Sequence, residues 1–141
     1  MQITGMLWGA KLLKHVDYPT SEVLGPEATG EQVKDLINRY GRVLIKPVFK
    51  GGVGKKGKAG LIGQATDVAT AMREKERLYF VEHQFGNTRA KAQGVTFESA
   101  IPAEHEIYVS ITDDTHYRAP TLTITHRGGV DIETLPPDQI A

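Results

Sequence analysis

A chain of 141 residues can bury one substantial core but is small for a complete multi-substrate enzyme. Lys plus Arg and Asp plus Glu each number 17, so no basic surplus draws the chain to nucleic acid or anionic lipid, and any electrostatic recognition has to be local. No apolar run approaches the roughly 18 residues of a membrane span. The opening Met1-Gln2-Ile3-Thr4-Gly5 lacks a secretory pattern, and the absence of Cys removes disulfides and thiolate metal sites, so a soluble, cytoplasmic protein is expected.

Residues 4–16 carry Met6, Leu7, Ala10, Leu13 and Val16 at near-helical spacing, which predicts an amphipathic helix stopped by Asp17-Tyr18-Pro19. A second helix opens with Thr29 and Gln32 at capping-box spacing, carries Val33, Leu36, Ile37 and Tyr40 along an expected apolar packing face, and ends at Gly41. Residues 42–49 predict a strand, and the short apolar run 59–63 a second one beyond a Gly/Lys-rich loop. Thr66 is the expected cap of a third helix reaching about Arg77, with Val68, Ala69 and Met72 turned inward. Residues 86–94 read as a polar loop, and 95–101, 106–112 and 121–125 as strands. The element order describes an α+β arrangement.

Residues 50–60 are the most informative stretch, with five glycines that let backbone N–H groups converge on an anion and four lysines that supply countercharge. Gly52 to Gly57 fits the dinucleotide spacing G-x-G-x-x-G, and Gly52 to Ala59 comes within one residue of a P-loop. Both templates require a helix directly after the loop, where Leu61-Ile62-Gly63 stands instead, and Ala59 replaces the magnesium-binding hydroxyl. Two readings stay open on spacing alone: a flap joining two antiparallel strands and folding over phosphates, or a solvated turn.

Lys46, inside an otherwise apolar strand, must point to solvent or meet a partner, and its closeness to the loop makes phosphate a candidate partner. Glu98, Glu104 and Glu106 are carboxylates that could accept from ribose hydroxyls or an adenine amino group. The five His residues are scattered without zinc-site spacing, so no metal ligands are assigned within the chain. No Gly-x-Ser-x-Gly motif or Cys nucleophile is present, and no catalytic residue is assigned. Aromatic residues make up 7%, too few for a nucleic-acid stacking platform.

In order and spacing, Ile45-Lys46-Pro47, Gly57-Lys58-Ala59-Gly60-Leu61, Glu98-Ser99-Ala100-Ile101-Pro102, Glu106-Ile107-Tyr108-Val109-Ser110-Ile111 and Gly128-Gly129-Val130-Asp131-Ile132-Glu133 resemble landmarks of the ATP-grasp subunit of ATP-citrate lyase, citryl-CoA synthetase and succinyl-CoA synthetase β. The resemblance spans nearly the whole chain and is most specific at residues 128–133. It implies an α+β, ATP-grasp-like N-terminal portion with a mixed or antiparallel sheet and flanking helices: residues 1–95 as the first lobe and 96–141 as the start of an incomplete second lobe. It further implies that Lys46 contacts ATP phosphates, that Gly54, Lys56 and Gly57 cover them, that Glu98, Ser99, Ala100 and Ile101 form the hinge against adenine, and that Glu106 holds the ribose.

The family reaction passes a phosphoryl group between a histidine on a partner domain and a carboxylate, giving an acyl phosphate that CoA attacks. Such chemistry needs positioning and charge neutralisation more than protein covalent chemistry. Lys56 stands where the family commonly has arginine, which replaces a planar bidentate fork by a point charge. Magnesium ligands, the remaining ATP-grasp half and the CoA-ligase part are expected outside residues 1–141, in an oligomeric complex acting on a carboxylate such as citrate, succinate or malate. On this resemblance, residues 1–141 are expected not to complete the reaction alone. The competing expectation is an assembly or regulatory module that keeps the fold without nucleotide.

Overall fold

The computed structural model describes residues 5–50, 59–116 and 118–128. The chain divides into two compact units, Met1–Ile101 and Pro102–Ala141. The first contains α1 (Gly5–His15), β1 (Val23–Leu24), α2 (Gly30–Tyr40), β2 (Val43–Phe49), β3 (Gly63–Ala65), α3 (Val68–Leu78), β4 (Glu82–Phe85) and β5 (Thr88–Ser99). The second contains β6 (Tyr108–Asp114) and β7 (Ala119–Thr125). The unit break falls after Ile101 because β5 continues as one strand through Ser99.

α1 forms where the periodicity places it and ends as a Schellman motif. Asp17 takes the left-handed conformation at φ 54°, and the Tyr18 and Asp17 amides donate to the carbonyls of Leu13 and Lys14. Among the described residues its apolar stripe is little buried: Ala10 is enclosed, while Met6, Leu13 and Val16 stay exposed. α2 shows both bonds of the expected capping box, from the Gln32 amide to Thr29 Oγ1 and from the Thr29 amide to Gln32 Oε1. Gly41 closes it at φ 76° with its amide on the Ile37 carbonyl.

α3 departs from expectation by one residue at its cap. Asp67, not Thr66, accepts from the Thr70 amide at 2.8 Å, and a carboxylate answers the unpaired amides and dipole of a first turn better than a hydroxyl. Ala71 and Leu78 are the buried positions, and Ala69 faces solvent. The run 59–63 is mostly not strand: β3 begins only at Gly63, after a turn at residues 59–60. Residues 88–94 are strand rather than loop, since a turn at Gly86-Asn87 folds β5 back on β4 and sets small Ala90 and Ala92 between exposed Arg89, Lys91 and Gln93. The two-residue β1 is too short to carry a periodic signal.

The first unit's sheet runs β1-β5-β2-β3, with β4 also on β5, and each of these pairings is antiparallel. Alternation along β2 sends Val43, Ile45, Pro47 and Phe49 to one face, where they join Val95 and Phe97 of β5, Val33 and Leu36 of α2, and Ala71 and Leu78 of α3 in a single core. Pro47 sits beyond the last β2–β3 pair, Ile45↔Gly63, beside a register shift, a position that tolerates a residue without an amide proton.

Glu22 ties three pieces together. Its backbone exchanges bonds with Ser99, and its carboxylate receives a two-pronged contact from Arg39 of α2. That guanidinium hydrogen bond, ahead of smaller charge effects and against partial burial, holds Glu22 below the usual carboxylate range.

In the second unit β6 and β7 pair from Tyr108↔Thr125 to Asp114↔Ala119. The Gly128 amide donates to the Glu106 carbonyl at 2.8 Å. A Cβ on Gly128 would stand 2.7 Å from the Glu106 carbonyl carbon, so this crossing requires glycine.

Three outcomes follow from these contacts. Leu36→Ala empties a fully buried position and should lower urea-unfolding stability by about 2–5 kcal/mol. Gly128→Ala should displace the backbone at Glu106, seen as amide shifts confined to the second unit at a cost of about 1–3 kcal/mol. Arg39→Gln should lower the melting temperature at neutral pH. Because the pair depresses the folded-state pKa of Glu22, its stabilisation is present above the unfolded carboxylate pKa and lost as pH falls through the folded value, so the two melting curves should converge in acid.

Candidate functional site

The second face of β2 carries Leu44, Lys46 and Val48. The register sets Lys46 opposite Thr96 and Leu44 opposite Glu98, which makes Lys46 and Glu98 diagonal neighbours on one face. Lys46 Nζ lies 2.5 Å from Glu98 Oε2, and the Thr96 hydroxyl donates to Glu98 Oε1 at 2.9 Å. The Glu98 side chain is 3% exposed and that of Lys46 25%, so a buried carboxylate holds an ammonium that still reaches the surface.

Lys46 is also the first β2 residue past the β2–β3 ladder. From there the chain runs through Phe49 and Lys50 toward residues 51–58 and re-enters the sheet at Gly63, so the Gly/Lys-rich segment connects two adjacent antiparallel strands. A strand on either side of the segment matches neither the dinucleotide nor the P-loop template, each of which needs a helix directly after it. Gly54, Lys56 and Gly57 lie outside the described residues. Arg77 of α3 pairs with Glu74 at 2.6 Å and reaches the Gly60 carbonyl at 3.5 Å, near the loop's exit.

The other expected residues fall as follows. Ser99 ends β5, with its hydroxyl accepting from the Glu22 amide at 2.9 Å. The Ala100 amide donates to the Arg42 carbonyl, and Ile101, 56% exposed, is the last residue of the first unit. Residues 98–101 thus pass from a buried strand to an open chain. Glu106 belongs to the second unit, where its carbonyl is held by Gly128. Among the described residues no group of three or more His, Asp or Glu side chains could hold a metal ion, and no helix is long and apolar enough to cross a membrane.

Sequence reasoning passed over Thr96. The alternation of Val95, Thr96, Phe97, Glu98 and Ser99 contained the signal, because it sends Thr96 and Glu98 to one face and the large apolar residues to the other.

Comparison with known proteins agrees with this arrangement. The profile of the ATP-grasp domain matches residues 9–140. The chain is 32% identical over 117 residues to the ADP-forming sulfoacetate-CoA ligase subunit SqwK of an Acholeplasma species, covering 83% of this chain and 26% of that one. It is 29% identical over 121 residues to the β subunit of the ADP-forming succinate-CoA ligase of Solibacter usitatus, covering 84% and 30%. Among solved structures, ATP citrate lyase from Methanothrix soehngenii, in complex with citrate and coenzyme A, superposes with a TM-score of 0.55 at 22% identity, covering 89% of this chain and 33% of that one; this likeness concerns the fold. The chain therefore spans about a third or less of the length of these relatives. An antiparallel α+β unit with a Gly/Lys-rich strand connection and a family match over residues 9–140 place this chain in the ATP-grasp domain family.

Proposed function

We propose that this chain supplies the nucleotide-binding portion of an ATP-dependent carboxylate-CoA ligase or ATP-citrate lyase. The observation that carries the reading is Lys46: a partly exposed ammonium fixed at the foot of a glycine- and lysine-rich strand connection, in a chain that matches the ATP-grasp domain. On this reading Lys46 and Lys56 neutralise ATP phosphate oxygens, and backbone amides at Gly54 and Gly57 approach them without Cβ obstruction. The backbone of Ser99, Ala100 and Ile101 meets the adenine edge, Glu98 serves the same site from the end of β5, and Glu106 accepts from ribose hydroxyls.

The donor chemistry fits a triphosphate, since lysine ammonium and glycine amides are both donors to anionic oxygen. ATP bound there would supply the phosphoryl group. This chain's residues would bind and orient it rather than react with it. Magnesium would come with the nucleotide, with its protein ligands expected outside residues 1–141. The finer steps belong to the same proposal: phosphohistidine and acyl-phosphate intermediates, a citrate- or succinate-like acid, CoA, and a partner carrying the remaining ATP-grasp half and the CoA-ligase part, in a cytoplasmic oligomer.

An amide-resolved NMR titration with ATP, with and without magnesium, tests the reading. Saturable shifts are expected at residues 51–60 and 98–101, weakened in Lys56→Ala. Lys56 is the better target than Lys46, because removing Lys46 strands the buried Glu98 carboxylate at a cost of up to about 3–5 kcal/mol and confuses binding with folding. Absence of shifts at saturating nucleotide would count against the site and favour an assembly module that keeps the fold alone.

A further inference from the structure

We infer that Thr96 is a positioning residue: its hydroxyl fixes the Glu98 carboxylate so that the carboxylate, in turn, fixes the Lys46 ammonium. The inference rests on the proposed reading of Lys46 only for its functional consequence, because the geometry stands without nucleotide. Thr96 is 3% exposed and Glu98 2%. The two carboxylate oxygens divide their work, Oε1 accepting from Thr96 at 2.9 Å and Oε2 from Lys46 at 2.5 Å.

A hydroxyl has one proton to give. The alternative acceptor, the Lys46 carbonyl, is 3.5 Å away, at the limit of a hydrogen bond, so the shorter contact decides where the proton goes. The terminal torsion of a glutamate is broad and roughly two-fold, so a carboxylate held at one oxygen can still swing. Held at both, it presents Oε2 in one direction. Lysine is a flexible four-carbon stem ending in three donors. One donor spent on a fixed oxygen localises the ammonium and leaves the others for an anion.

β-Sheet packing alone does not account for threonine here. Valine has the same branched shape and the same strand preference without the hydroxyl. If Thr96 served only to fill space, Thr96→Val would change nothing but a hydrogen bond, and the ammonium would stay where it is.

The test uses the whole chain labelled with 15N at lysine side chains, with the Lys46 ammonium resonance assigned through Lys46→Arg. In the unsubstituted protein and in Thr96→Ser that resonance should be visible, protected from rapid exchange by its hydrogen bond. In Thr96→Val it should broaden beyond detection while the amide spectrum stays folded; if valine disturbs the amides widely, Thr96→Ala makes the same comparison. The dissociation constant for magnesium-ATP should rise about two- to tenfold in Thr96→Val, the equivalent of one hydrogen bond, and recover in Thr96→Ser. An unchanged ammonium signal in both hydroxyl-free variants overturns the inference whatever the nucleotide does, and a lost signal with unchanged ATP affinity overturns its functional part. Failure of the unsubstituted chain to bind ATP sinks the nucleotide reading instead, and the ammonium signal then decides the role of Thr96 by itself.

Discussion

The antiparallel pairing of β2 with β5 is the constraint on which the rest of the first unit depends. Because side chains alternate across a strand, one register fixes two outcomes together. Ile45 and Phe97 enter the helix-covered core, and Lys46, Thr96 and Glu98 meet on the other face. A slip of β2 by one residue would bury the lysine among Val33, Leu36 and Leu78 and turn Ile45 outward. The register is held at the far end of β5 by Glu22, whose carbonyl accepts from the Ser99 amide and whose amide donates to the Ser99 hydroxyl, and by the Ala100–Arg42 bond, while α2 is drawn to the same place by Arg39. Core and site are therefore two readings of one ladder.

An ion pair with one nearly buried partner is weak evidence of a stabilising role. Desolvating a carboxylate offsets much of its attraction to a neighbouring ammonium, and two well-packed apolar side chains of similar volume would hold these strands about as well. The meeting of Lys46 and Glu98 on one face of this strand pair is better explained by what a fixed ammonium can do. An exposed lysine spreads its charge over many rotamers, whereas this one is localised from behind by a carboxylate that is itself held at both oxygens. Lys46 is itself the first β2 residue past the β2–β3 ladder.

Much of this was legible in the sequence where local chemistry decides the outcome. The α2 capping box, the Gly41 terminus and the body of β2 all follow from short-range rules, and they hold. The misses came where a tertiary partner decides. Residues 88–94 look polar and turn-rich, yet their alternate alanines suit a strand laid against β4. The run 59–63 is apolar because Leu61 enters the core from a non-strand backbone, not because the backbone is extended along a neighbour. The cap of α3 shifted by one because Thr66 and Asp67 are both competent, and only the native backbone selects between them. At the site, Lys46 and Glu98 could each be singled out, but their pairing needs a register that a single sequence does not print, and Thr96 carries no signal until that register is known.

On the proposed reading Lys46, held in a paired strand, and Lys56 do different work, and the distinction bears on how an ATP-grasp site accommodates lysine at position 56. Arginine at such a position would bring its own geometry, a planar fork that selects two oxygens at once. Lysine brings charge without direction. If directional recognition is to survive, it has to come from a group whose position is set elsewhere, and rigid elements set positions better than loops do. Lys46 meets that requirement: it sits within a paired strand, its ammonium is fixed by Glu98, and Glu98 is fixed by Thr96. On the proposed reading Lys56 supplies countercharge, while Lys46, held in the sheet, supplies aim.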